Sequence, residues 1–519
     1  MMGTGKSTVG RAVAERAAVP FIDLDDELVR QAGMSIRQIF EKKGESAFRS
    51  MEREALSRQL DDRTPRVVAL GGGALLGRTE RLVALERAIV VTLAATPTEL
   101  LRRMTGDGTR PMFGDQPTAA RMVEILDARA TAYAEAHAVI DTTGSTIDTL
   151  IREVLDIGQR EPIVVPLGDR TYAVDIMPAA AEEGLAAALD RLAPSRIVVV
   201  TDEVVEPLVL PRLRAILSRH GEPVEVVLPT GERHKPLASV ERILRAAVEA
   251  PVDRNAVVVG VGGGVVTDIA GLSAALALRG LRWIAVPTTV LSMVDASVGG
   301  KTAVDLGHAK NAVGAFHQPS RVIVDPSFSH TETARAFRSG LAEVLKTALI
   351  GDARLYEELC APGGAERLAV DRDPDAVTRA VRSSVSVKAA VVGRDEREKG
   401  ERAHLNLGHT IGHALEAEGG FERLTHGEAI SLGLVAALRI GVALGVTQPE
   451  LARQVEGVLE RLLLPVDLDQ EPLTEALRWV SYDKKRKGGA LQFVLVRAPG
   501  SLEIARISPS DLPSLLRVS

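Results

Sequence analysis

Four of the ten histidines of this chain fall between residues 404 and 426. In "NLGHTIGHALE", His409 and His413 are four apart, which sets both on one face of a helix. "THGEA" adds His426. Imidazoles gathered in this way can hold a divalent metal. Cys360 is the single cysteine, so no thiolate cluster competes. The expected ligand set is therefore histidine plus carboxylate, with one position open for substrate or water. "SGLAEVLKTALI" offers the carboxylate. Glu343 and Lys346 lie three apart on a very apolar stretch, where charges need partners, and a metal would satisfy Glu343.

Two glycine-rich stretches stand upstream. "VDASVGGKTAVDLGHAKN" contains Asp295, Lys301, Lys310 and Asn311 without simple periodicity. Alone it reads as a surface loop. Beside a metal, its lysines suit a phosphorylated or carboxylated substrate. "VVVGVGGGVVTD" is an apolar strand running into three glycines and a helix, a turn whose backbone can approach a pyrophosphate. Asp268, one helical turn later, is a candidate polar contact.

The first residues carry a different phosphate pattern. "GTGKST" ends a G-x-x-x-x-G-K-[ST] loop, whose N–H groups and following helix bind an anion. Lys6 would reach the outer phosphates and Ser7 would reach Mg²⁺. The first glycine of the pattern would precede Met1, and the strand that feeds such a loop is not in this sequence. The expectation is a start about ten residues upstream, one strand length. Without that strand, buried backbone groups would go unpaired at about 1–3 kcal/mol each. "FIDLDDEL" is read as a strand end with Asp23 and Asp25 on alternate positions, both carboxylates pointing the same way. Arg49 falls on a helical segment, "LGGG" (70–73) ends the next strand in a close-approach turn, and "TRPM" and "ARATAY" add Arg110 and Arg129.

These groups need a frame. A length of 519 residues suits two to four domains. The net charge of −6 and 3% aromatic content argue against a nucleic-acid partner. No signal peptide and no membrane span are read, and the low cysteine content fits the cytoplasm. Small-molecule substrates are the expected partners. Residues 1–158 alternate strands ("PFIDLD", "RVVALGGG", "AIVVTL") with charged helices, the rhythm of a parallel α/β sheet. "IGQREPIVVPLGDRTYAVDI" (157–176) reads as a hairpin opening a new domain. The rhythm resumes in "RIVVVTDE", "PVEVVLPTGE", "NAVVVGVGGG", "RWIAVPTT" and "RVIVD". From about 330 helical periodicity dominates, and a strand pair, "LQFVLVRAPG" and "SLEIARI", closes the chain.

Over residues 1–158 the chain resembles shikimate kinase: "GTGKST", "DLD", "IFEKKGESAFR", "GGG", "RP" and "R-x-x-x-Y" fall in that family's order. The resemblance implies a P-loop kinase-like parallel sheet. Gly3, Gly5, Lys6, Ser7 and Thr8 would hold ATP phosphates, and Ser7 and Asp23 would serve Mg²⁺. Asp25, Arg49, Gly71, Gly72, Gly73 and Arg129 would hold shikimate, with Asp25 near the hydroxyl to be phosphorylated. Arg110 would touch ATP from a lid.

Over residues 160–519 the chain resembles 3-dehydroquinate synthase, through "TGERHK", "GGGVVTD", "PTT", "SVGGKTAV", "KNAVGAFHQP", "GLAEVLK", "NLGHTIGHALE", "HGEA" and "DKKRKGG". That implies an α/β NAD-binding domain (160–326) and an α-helical metal domain (327–519). Zinc (or cobalt) would sit on Glu343, His409 and His426. NAD would contact Asp202, Glu232, Lys235, Gly263, Gly264, Val265, Asp268, Thr288, Thr289, Lys301 and Lys310. Asp295, Lys301, Lys310, Asn311, Lys346, Lys388, Arg402, Asn406, His413 and Lys484 would line the substrate pocket. Asp305 stands where the family usually has asparagine. In the implied reaction NAD takes and returns a hydride, so it has no net turnover. A homodimer through the synthase half is expected. The alternative readings are a related sugar-phosphate cyclase, a metal-dependent polyol dehydrogenase, and a kinase-like module that binds without catalysing.

Overall fold

The structure is a computed structural model. It describes all residues except 1–2, 105–117, 308, 481–489 and 517–519. The chain forms two compact units, Met1–Ala173 and Val174–Ser519.

The first unit begins with the helix Lys6–Ala17, started by Gly5 at φ 88°. Four short strands follow: β1 (Phe21–Asp23), β2 (Val67–Ala69), β3 (Val91–Ala94) and β4 (Ala138–Asp141). They form two separate parallel pairs, β1 with β2 and β3 with β4. One apolar cluster joins the pairs: Val9 and Val13 of the first helix pack with Leu93, Ile140, Leu150 and Ile151, and Val67 and Val91 pack against them. The long helix Ile36–Asp61 opens with a capping box, Ser35 with Gln38, and kinks at Gly44.

A seven-stranded sheet follows: β5 (Ile163–Val165), β6 (Tyr172–Ile176), β7 (Ile197–Asp202), β8 (Val224–Leu228), β9 (Val257–Gly262), β10 (Arg282–Pro287) and β13 (Arg321–Val324). Its order is β5-β6-β13-β10-β9-β7-β8. The ladders from β6 to β8 are parallel. β7 and β9 are buried at every position, which explains their unbroken valine runs. Strand order reverses beside β9, and parallel sheets bind ligands at such a place. The 157–176 segment does hold two strands around Gly168–Arg170, and β6 then pairs with β13.

The stretch read as a loop is an antiparallel ribbon, β11 (Lys301–Leu306) with β12 (Ala309–Phe316), bulged between Val304 and Leu306. Its glycines and lysines hide the alternation that marks a strand. After it the fold is helical. The helix Ala334–Gly351 is buried continuously from Ser339 to Ile350. His426–Ala443 packs beside it and His409–Glu418 packs on His426–Ala443, and β14 (Leu491–Ala498) with β15 (Ser501–Ile507) ends the fold. Among the described residues, His426–Ala443 is the one helix long and apolar enough to cross a membrane; 72% of it is buried inside the protein.

Candidate functional site

The helix Ala334–Gly351 carries Glu343 in its fully buried middle. The helix His409–Glu418 starts at His409, and a capping box of Thr425 and Glu428 starts the next helix at His426. These three side chains converge, with one ligand atom from each within 4.8 Å of the others. Glu343 Oε1 lies 3.8 Å from His409 Nε2 and 3.5 Å from His426 Nε2. Ligands placed tetrahedrally at about 2.0–2.1 Å from zinc would stand roughly 3.4 Å apart. Both Glu343 oxygens are buried without a hydrogen bond, and Lys346 supplies an ion pair. His409 Nδ1 is 3.1 Å from the Leu407 carbonyl, which fixes the tautomer that leaves Nε2 toward the centre. The residues present therefore fit a divalent metal. Burial alone would pull the His426 pKa down, but the carboxylates of Glu416 and Glu343 outweigh it and push it up to about 9.

Lys346 touches this trio through Glu343, and Asp295 interacts electrostatically with Lys346 and His426. Lys346 donates to the Leu405 carbonyl at 2.9 Å. Lys388 pairs with Asp295 at 2.5 Å. Burial pulls Lys388 down against the opposing pull of Asp295. Burial would raise Asp295, but Lys388 and Lys346 hold it well below the usual range. Lys301 pairs with Glu398, which also accepts from Asn406 Nδ2 at 2.5 Å. His413 stands edge-on to His409, ring centroids 5.0 Å apart. Arg402 is almost fully buried and is turned onto backbone: it donates to the Gly299 carbonyl at 3.1 Å and to that of Glu396. Lys484 and Arg110 lie outside the described residues.

The second cluster lies at the C-terminal edge of the sheet. Gly263 caps the helix Gly264–Leu276, which carries Val265 and Asp268. A Cβ on Gly263 would sit 3.3 Å from Thr289, and Thr288 N donates to the Gly262 carbonyl, so the two turns adjoin. Buried Lys235 reaches Asp268 (2.7 Å) and Asn311 Oδ1 (2.7 Å). Burial pushes Asp268 up to about 6 despite Lys235. Glu232 lies 3.7 Å from both Lys235 and Lys310. Asp202 folds back on its own loop, accepting from Val204 N, Val205 N and Thr230 Oγ1. Asp305 accepts from Asn311 N at 2.7 Å and so shapes the ribbon bulge.

In the first unit a cleft of about 830 Å³ brings together Gly3, Gly5, Lys6, Ser7, Thr8, Asp23, Asp25, Arg49, Gly71, Gly72, Gly73 and Arg129. Ser7 Oγ donates to Asp23 Oδ2 at 2.6 Å. The strand alternation expected for Asp23 and Asp25 does not hold. β1 ends at Asp23, whose side chain caps a helix Leu24–Ala32 by accepting from Asp25 N. Capping ends the strand two residues early, and Asp25 reaches the cleft from a helical first turn. Gly73 lets the Arg49 guanidinium lie against the backbone, since a Cβ there would fall 2.2 Å from Arg49 Nη1 and the side chain would have to swing away. Arg129 donates to the Gly72 carbonyl at 3.3 Å.

Residues 225–339 match the family model for the N-terminal part of 3-dehydroquinate synthase, and 340–486 match its C-terminal part. The 3-dehydroquinate synthase of Cereibacter sphaeroides is 41% identical over 359 residues, spanning 68% of this chain and 96% of the relative. That of Halorhodospira halophila is 42% identical over 353 residues, spanning 68% and 98%. The chain belongs to the 3-dehydroquinate synthase family. The synthase also resembles the solved 2-epi-5-epi-valiolone synthase of Streptomyces hygroscopicus with NAD⁺ and Zn²⁺ bound, at 29% identity and TM-score 0.60 over 66% of this chain and 95% of that one. Ahead of the synthase stands a shikimate kinase domain, residues 2–158 by its family model.

Sequence reading passed over two carboxylates of the synthase, Glu398 and Glu416. Glu398 sits in a run of charges that looks like a solvated turn. Glu416 had a usable signal: it lies seven residues after His409 and three after His413, on the same helix face.

Proposed function

We propose that residues 174–519 convert 3-deoxy-D-arabino-heptulosonate 7-phosphate to 3-dehydroquinate and phosphate with NAD and zinc (or cobalt). The first unit phosphorylates shikimate from ATP with Mg²⁺, and both reactions run in the cytoplasm. The observation that carries the first reading is Glu343, fully buried, facing two imidazole Nε2 atoms and ion-paired to the Lys346 ammonium. Bound NAD⁺ supplies a reversible hydride acceptor, the divalent ion a Lewis acid for substrate hydroxyls, and Mg-ATP the phosphoryl group.

The protein's own part is to hold and orient. Glu343, His409 and His426 hold the ion. Lys235, anchored by Asp268 and Asn311, closes one side of the dinucleotide pocket. Lys301, Lys346, Lys388 and Asn406 neutralise the substrate's phosphate and carboxylate. His413, exposed beside the rings of His409 and His426, positions the phosphate. That phosphate, with a second pKa of about 6, serves as base, so no strongly basic side chain is needed. In the first unit Lys6 holds phosphate oxygens, Ser7 and Asp23 hold Mg²⁺, and Arg49 and Arg129 hold the shikimate carboxylate. Asp25 orients the accepting hydroxyl.

The test uses the whole chain. With heptulosonate phosphate, NAD and zinc it should release phosphate and form 3-dehydroquinate, and chelation should stop both. Cyclisation of a different sugar phosphate, with none of this one, would overturn the reading in favour of a related cyclase. Shikimate and ATP should yield shikimate 3-phosphate and ADP in equal amounts. ATP binding without transfer would leave the first unit a binding module.

A further inference from the structure

His426 is forked between two carboxylates. Its Nε2 faces Glu343 at 3.5 Å, and its Nδ1 faces Glu416, 3.3 and 3.4 Å from the two oxygens. Glu416 is 3% exposed. Its Oε1 also accepts from Lys310 Nζ at 3.0 Å, and Lys310 in turn stands 3.7 Å from Glu232 on the dinucleotide side. Acidic and basic side chains therefore alternate from Glu343 through His426, Glu416, Lys310, Glu232 and Lys235 to Asp268, from the metal trio to the dinucleotide cluster.

A second trio, His413, Glu416 and His426, also has the spacing of a cation site. The Lys310 ammonium already occupies the Glu416 carboxylate and repels a further cation there. The carboxylate is left to act on the imidazole. A ligating histidine works best when its other nitrogen donates to such a group, which fixes the tautomer and raises ligand basicity.

We propose that Glu416 is a positioning residue of the cation site. It takes the Nδ1–H of His426, turns Nε2 toward Glu343, and anchors Lys310 at the border of the dinucleotide pocket. The proposal rests on the metal-dependent reading above. Its test is zinc affinity, measured on the full chain by competition with a chromogenic chelator, apart from any turnover. Glu416→Gln keeps the shape and loses the charge; zinc should bind about 10–100-fold more weakly. Glu416→Asp keeps the charge and should recover part of that loss. Thermal unfolding of the zinc-free proteins shows whether each variant folds. A folded Glu416→Gln that binds zinc within twofold of wild type overturns the proposal and leaves the function standing. Equal loss in both variants also overturns it, because a structural role ignores charge. Wild-type protein that binds no zinc overturns the functional reading and this proposal together.

Discussion

At the scale of single residues, burial sets the chemistry. Glu332 accepts from Val290 N at 2.8 Å, next to Thr288 and Thr289, while its other oxygen is buried without a partner. Burial pushes its carboxyl up to about 8, against the opposing pull of the Val290 N–H and Arg372. The unfolded chain would titrate it near 4.5. Between these values the folded state keeps a proton that the unfolded state has lost. Stability therefore falls as pH rises through this window, by up to about 1.4 kcal/mol per unit, and levels off above 8. Glu332→Gln should raise the melting temperature at pH 8, with little gap at pH 5. Melts at pH 5, 6.5 and 8 check this, and parallel curves would contradict it. Residue types were easy to read at Glu343, His409 and His426, where a carboxylate and imidazoles recur on apolar helices. Arg402 was less so: its type suggests an anion, and the structure also gives it the carbonyls of Gly299 and Glu396.

At the scale of elements, close helix packing places the ligands. Gly408, at φ 79°, starts the helix that begins with His409, and Gly433 of the helix His426–Ala443 lies against it. A Cβ on Gly433 would fall 2.0 Å from the Gly408 carbonyl oxygen. Gly433→Ala must push the two histidine helices apart. Overpacking of this kind costs about 1–3 kcal/mol. Zinc affinity should drop along with the melting temperature, as chelator competition and calorimetry can show. Unchanged affinity in a destabilised protein would mean that the trio tolerates the shift. The histidine helix was legible because spacing of four on a helix is local. The ribbon Lys301–Phe316 was not, because only its partner strand supplies the pairing that makes a lysine- and glycine-rich stretch extended.

At the scale of the molecule, the two chemistries draw on different parts of the chain. The described residues proposed for the kinase lie within Met1–Ala173, and those proposed for the synthase lie within Val174–Ser519. Lys6→Ala should cut shikimate phosphorylation about 100–1000-fold, the usual scale for one electrostatic clamp. It should leave phosphate release from the heptulosonate phosphate unchanged. Glu343→Gln should do the reverse. Paired assays on both variants check this, and loss of both activities in either would show the units to be coupled. The sequence alone determined most of the strand and helix order, though not the ribbon Lys301–Phe316 or the helix start at Leu24, and with it the phosphate loop, the glycine turns and the metal-binding residue types. All of these depend on spacing within a dozen residues. Tertiary structure alone decided which charges are paired. Lys301 with Glu398, Lys310 with Glu416 and Asp295 with Lys388 each join residues roughly a hundred positions apart. Ion pairing depends on distance in space, and only the packed sheet and helices set that distance.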